Sequence, residues 1–152
     1  LVALAVGSRG MVGGQVEDLE ATGKPPDAQR LERIHRAKTG ALLAASVELG
    51  AVLAGVDEAA RQRFAVFGQS LGLAFQIADD ILDVTGTAAS LGKSPGKDVA
   101  AGKLTYPAVF GLAAARQELT RLTVALRAEA VALEGSRGRL ASLVDYIASR
   151  DR

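Results

Sequence analysis

Gln76, Asp79, Asp80 and Asp83 fall in one segment that reads as helix. At about 100° per residue their side chains share an arc of roughly 100°. Like charges three and four residues apart each cost a helix roughly 0.2–0.5 kcal/mol. These carboxylates also lie late in the segment, where the helix dipole gives negative charge no support. A bound divalent cation reverses that sign. Mg2+ is the natural choice, because it takes hard oxygen ligands, one or two of them carboxylates, and completes its shell with water and phosphate. Lys93, Lys97 and Lys103 follow in a Gly-rich stretch, with Asp98 among them. Carboxylates that hold a metal beside lysines are what a diphosphate requires. The metal bridges some oxygens and ammonium groups neutralise others.

Other residues extend that chemistry. Lys38 and Thr39 stand mid-helix in a second segment, and across a bundle from Asp79 they would bring one cation and one hydroxyl to a phosphate. The alternative for such a lysine is snorkelling along an apolar surface. Gln15 and Asp18, three apart, share a helix face. They follow Gly10, Gly13 and Gly14, and each glycine inside a helix costs up to about 1 kcal/mol against alanine. That cost implies close helix contact or a ligand against the backbone. His35 is the single histidine. It cannot build a His-rich metal site and reads as a packed or capping residue rather than a base. There is no cysteine and no serine framed with the histidine, so no nucleophile-plus-base set is visible.

Helices must position these groups. Strand signals are nearly absent, while Ala and Leu dominate. A first helix runs to about Ala21 and stops at Gly23-Lys24-Pro25-Pro26. Asp27 caps a second from about Ala28 to Leu53, and Gly55 and Asp57 make a turn and a new cap. A third runs from about Glu58 to Val84, with Phe64, Phe67, Leu71, Phe75, Ala78 and Leu82 as its apolar stripe. Thr85 to Lys103 has no period and reads as a long ordered loop. Pro107 opens a fourth helix to about Ala115. Arg116 to Leu133 continues it, residues 135–138 turn, and Arg139 to Ser149 closes the chain. The expectation is an all-α bundle.

Composition narrows the function. Lys plus Arg total 18 against 17 acidic residues in 152, which argues against a nucleic-acid binder running on bulk charge. The lack of Cys excludes disulfides and zinc thiolate sites. The longest apolar stretch, Ala41–Val56, carries Glu48 and falls short of the ~20 residues a membrane span needs. No integral membrane contact and a cytoplasmic location are expected.

The ordered motifs resemble a known family. They are Gly10-Met11-Val12-Gly13-Gly14-Gln15 with Asp18, Ile34-His35-Arg36-Ala37-Lys38-Thr39-Gly40, Gly72-Leu73-Ala74-Phe75-Gln76-Ile77-Ala78-Asp79-Asp80-Ile81-Leu82-Asp83, Gly92-Lys93, Gly96-Lys97-Asp98 and Gly102-Lys103-Leu104-Thr105-Tyr106-Pro107. The set resembles the C-terminal half of an all-trans short-chain isoprenyl diphosphate synthase, of the farnesyl or geranylgeranyl type. The resemblance implies that Asp79, Asp80 and Asp83 bind Mg2+, with Asp18 as a further, secondary metal candidate. It implies that Gln76 supports that site, that Lys38 and Thr39 hold the allylic diphosphate with Lys93 and Lys103, and that Gln15 faces the cavity. It implies a large helical bundle of the isoprenoid synthase type that forms a homodimer, and a prenyl transfer from an allylic diphosphate to isopentenyl diphosphate.

One departure is large. The family's first aspartate-rich motif and its basic residues for isopentenyl diphosphate have no counterpart here, and Glu17, Asp18 and Glu20 have the wrong spacing to replace them. With Leu1 rather than Met at its start, the chain reads as residues 1–152 of the C-terminal half of one helical domain, inactive in condensation by itself. The alternative is a non-catalytic helical subunit of a heteromeric prenyl synthase. Apolar faces of the second and third helices would stand uncovered in either case.

Overall fold

The computed structural model describes residues 1–86 and 101–149, and their regular structure is all helical. The elements are α1 (Val2–Val6), α2 (Met11–Ala21), α3 (Ala28–His35), a π-helical turn (Arg36–Gly40), α4 (Ala41–Leu53), α5 (Glu58–Thr85), α6 (Tyr106–Phe110), α7 (Leu112–Glu134), a 3-10 turn (Gly135–Arg137) and α8 (Arg139–Ser149).

Helix starts follow the capping chemistry of the sequence. Asp27 accepts backbone N–H bonds from Gln29 and Arg30 at 2.9 and 3.1 Å. Asp57 accepts one from Ala60 at 2.8 Å and opens α5. Thr105 accepts from Ala108 and opens α6, with Pro107 in the first turn. The cap of α8 comes from the preceding helix. The Glu134 carboxylate accepts backbone N–H bonds from Arg139, Leu140 and Ala141.

Three boundaries differ from the sequence expectation. The opening helix is two helices, α1 and α2, because the chain leaves the helical path at Gly7. The Ala28–Leu53 helix is interrupted by the π turn at Arg36–Gly40. The break after Pro107 falls at Gly111, whose φ of 85° only glycine adopts readily, rather than near Ala115.

Helix α5 is the central element. Its buried spine is Phe67, Leu71, Ala74, Ile77, Ala78 and Ile81. Phe75 and Leu82 of the expected stripe are only half-buried, because the packed face is turned toward Ala74 and Ile77. Against this spine α7 sets Ala115, Leu119, Leu122, Leu126 and Ala130, and α8 adds Val144 and Ile147. Leu71 is fully buried, and its truncation to alanine would cost about 2–5 kcal/mol. A smaller cluster of Ala21, Leu31, Ile34 and Leu104 joins α2, α3 and the segment before α6.

The π turn is gripped from both sides. A Cβ on Gly14 of α2 would lie 2.3 Å from the Lys38 nitrogen, and one on Gly72 of α5 would lie 2.7 Å from the Gly40 Cα. Those distances leave no room for a side chain, so two glycines let two helices close on the strip of backbone that carries Lys38 and Thr39. Gly14 and Gly72 thus have a packing reason.

Candidate functional site

Four stretches of chain meet around one polar cavity. Helix α2 contributes Asp18, the junction of α3 with the π turn contributes His35 and Lys38, α5 contributes Gln76, Asp79 and Asp80, and the strip before α6 contributes Lys103 and Thr105. Its volume is about 150 Å³, room for on the order of five waters.

Lys38 and Asp18 form a close charged contact, with Nζ donating to Oδ2 at 2.8 Å. Both side chains are largely screened from water. The partners are twenty residues apart and meet because Gly14, one turn before Asp18, lets α2 touch the π turn. The sequence sets Lys38 across a bundle from Asp79; a π turn, a feature frequent at functional sites, carries it at the cavity that Asp79 also borders.

Asp80 is buried and its carboxylate is engaged on one side. Its Oδ2 accepts the Tyr106 backbone N–H at 2.7 Å, and His35 Nε2 lies 3.6 Å from the same oxygen. Tyr106 itself stacks at a tilt on Phe110, 4.6 Å between ring centres. Burial and the nearby Glu118 carboxylate raise its phenol above the ordinary tyrosine value.

Six sequence candidates therefore converge: Asp18, Lys38, Gln76, Asp79, Asp80 and Lys103 line the same cavity. Three others do not line it. Gln15 is exposed on α2, Thr39 is half-buried within the π turn, and Asp83 is 2% exposed one turn beyond Asp79. Lys93 lies outside the described residues. Among the described residues no group of three or more Asp, Glu or His side chains is placed to hold a metal by itself; of the expected aspartates, Asp79 and Asp80 border the cavity and Asp83 lies one turn beyond Asp79. That pair still suits Mg2+, which needs only one or two carboxylates when phosphate and water fill its shell. The cavity puts hard carboxylate oxygens opposite lysine ammonium groups, the donor set that a metal-bound phosphate requires.

The polyprenyl synthetase family model matches residues 3–136. The chain belongs to the polyprenyl synthetase family. Among relatives of this family, it is 45% identical to farnesyl diphosphate synthase of Escherichia coli over 157 residues, covering 99% of this chain and 52% of the relative. It is 42% identical to geranylgeranyl pyrophosphate synthase 11 of Arabidopsis thaliana over 153 residues, covering 98% and 43%. The chain spans about half the length of the curated relatives it matches. A solved geranyltransferase from Helicobacter pylori, complexed with magnesium and isoprenyl diphosphate, superposes with a TM-score of 0.80 at 28% identity, covering 96% of this chain and 48% of that one. The helical fold is that of polyprenyl synthases.

Two contributors escape a reading of side chains alone. His35 is packed, as the sequence suggests, but it is packed against Asp80. The Tyr106 N–H is a backbone donor 26 residues from its acceptor, and a backbone donor leaves no mark on residue type. Among the described residues no helix is long and apolar enough to cross a membrane.

Proposed function

We propose that this chain is the C-terminal half of a prenyltransferase domain that joins isopentenyl diphosphate to an allylic diphosphate, with farnesyl or geranylgeranyl diphosphate as product. The observation that carries the reading is the meeting of Asp18, Lys38, Gln76, Asp79, Asp80 and Lys103 at one cavity in a member of this family. Relatives named as farnesyl and geranylgeranyl diphosphate synthases support the product class.

The chemistry follows from the residue types. Departure of diphosphate from an allylic carbon builds negative charge on the leaving group and positive charge on carbon. Mg2+, when bound, supplies Lewis-acid stabilisation of that leaving group. Asp79 and Asp80 would hold the ion through carboxylate oxygens, with Asp83 one turn beyond and Asp18 as the secondary metal candidate. Lys38, with Thr39 beside it, and Lys103 hold diphosphate oxygens from two sides, and Lys93 and Gln15 belong to the same binding role. Gln76 orients groups at the cavity wall. No protein nucleophile is required, and the apolar helices around the site keep water from the allylic cation. The domain acts as a homodimer in this proposal.

The test is Mg2+-dependent conversion of labelled isopentenyl and allylic diphosphates by the full-length gene product. Asp79→Ala is expected to lower turnover by at least a hundredfold, on the order of 3 kcal/mol of lost charge stabilisation. No prenyl product, or an Asp79→Ala protein as active as the parent, would sink the reading.

A further inference from the structure

One oxygen ties together the two strips of chain that carry cavity lysines. Asp80 Oδ2 accepts the backbone N–H of Tyr106, three residues after Lys103. The same oxygen faces Nε2 of His35, three residues before Lys38. Both His35 and Asp80 are buried, at 3% and 9% exposure. The other ring nitrogen, His35 Nδ1, is buried with no hydrogen-bond partner. The Asp80 contact is thus the polar engagement the ring makes among the described residues. A carboxylate only accepts, so the proton facing it belongs on Nε2. The ring also stands as a wall between the polar cavity and a more apolar one lined by Leu31, Leu73, Tyr106 and Phe110.

We propose that His35 is a positioning residue: with the Tyr106 N–H it fixes the Asp80 carboxylate through Oδ2 and so presents Oδ1 to the cation of the cavity. This rests on the prenyltransferase reading above. A carboxylate on a helix turns about two side-chain bonds, and a single N–H bond leaves it free to pivot about that bond. A second contact on the same oxygen removes the pivot. At 3.6 Å the contact is longer than a hydrogen bond; polar contacts at unliganded sites are often long and tighten on ligand binding, and the same tightening is expected here. Outer partners that orient a metal-binding carboxylate matter in a measurable way, typically 10–100-fold in metal affinity.

The experiment titrates Mg2+ into the full-length gene product in the presence of inorganic pyrophosphate, followed by calorimetry. His35→Leu keeps the apolar wall and removes the polar contact. It is expected to raise the Mg2+ concentration at half-saturation by about tenfold or more. His35→Gln, whose amide nitrogen reaches the Nε2 position, is expected to recover most of that loss. In an Asp80→Asn background, His35→Leu should add little, because its route of action is already gone. Where His35→Leu does not fold, His35→Asn replaces it, a polar side chain too short to reach Asp80, with the same loss expected. Parent-like Mg2+ dependence in His35→Leu or its replacement overturns the inference. So does a Gln variant as impaired as Leu while melting like the parent, or full additivity with Asp80→Asn. Absence of any Mg2+ dependence in the unaltered protein overturns the prenyltransferase reading and this inference with it. Mg2+ dependence that His35→Leu leaves untouched overturns this inference alone.

Discussion

Gly14→Ala and Gly50→Ala are the same chemical change on two helices, and the structure assigns them opposite signs. A methyl group on Gly14 would sit 2.3 Å from the Lys38 nitrogen and 2.7 Å from its Cα. Ordinary carbon contacts lie near 3.5–4.0 Å, so the two backbones must separate by roughly 1 Å. The obstacle is backbone on both sides, and no side chain can rotate away. Overpacking of this kind costs about 1–3 kcal/mol, and the rigid geometry places Gly14→Ala at the upper end, partly offset by up to ~1 kcal/mol of helix propensity. A net loss of about 2 kcal/mol follows. Gly50 has nothing within 4 Å of the same methyl position, so Gly50→Ala should gain about 0.5–1 kcal/mol. The assay is urea unfolding of the full-length gene product, followed by circular dichroism. A second readout is specific to the site. Separation of α2 from the π turn stretches the 2.8 Å Asp18–Lys38 contact, so Gly14→Ala should also weaken pyrophosphate binding, whereas Gly50→Ala should not. Equal unfolding midpoints for the two variants, or a Gly14→Ala protein that binds pyrophosphate like the parent, would refute the claim that α2 sets the position of Lys38.

Further expectations concern single contacts. Asp18→Asn keeps the shape of the acceptor but removes the charge facing Lys38 across 2.8 Å. It should cost about 1–3 kcal/mol in urea unfolding, and a double-mutant cycle with Lys38→Met should return a coupling energy clearly above zero. Glu134 accepts three backbone N–H bonds at the start of α8. Burial pushes its carboxyl upward, but those bonds and Arg137 outweigh it, so the group sits below the ordinary carboxylate range. Because its folded value is the lower one, its stabilisation is complete above the unfolded carboxylate value and fades as pH falls through the folded value. Glu134→Gln should therefore lose about 1 kcal/mol at neutral pH and show a flatter acid limb than the parent in stability-versus-pH curves. Asp57→Ala removes the cap of the central helix and should cost about 1 kcal/mol. Asp57→Ser should restore most of it.

The parts of this fold that were legible are those written in local chemistry. Asp27 and Asp57 announce helix starts because a short acceptor followed by helix formers satisfies the first free N–H groups, and both caps form. The carboxylate face of α5 was legible for the same reason. Gln76, Asp79 and Asp80 are spaced by the helix itself, and all three reach the cavity. What stayed hidden depends on how far apart two backbones settle. The π turn has no propensity signature of its own. It exists where Gly14 and Gly72 allow α2 and α5 to close on residues 36–40, and a single sequence does not say that those glycines face the same strip. The Asp18–Lys38 pair follows from that closure and was invisible with it. Asp83 shows the converse. Its spacing from Asp79 and Asp80 is right for a shared face, yet it does not border the cavity. Asp83 projects between Asp79 and Asp80 on that face, so what separates it from the cavity is its place along the helix axis, one turn further on, rather than its angle around it. Spacing along a helix selects the residues that can act together, and packing between helices decides which of them do.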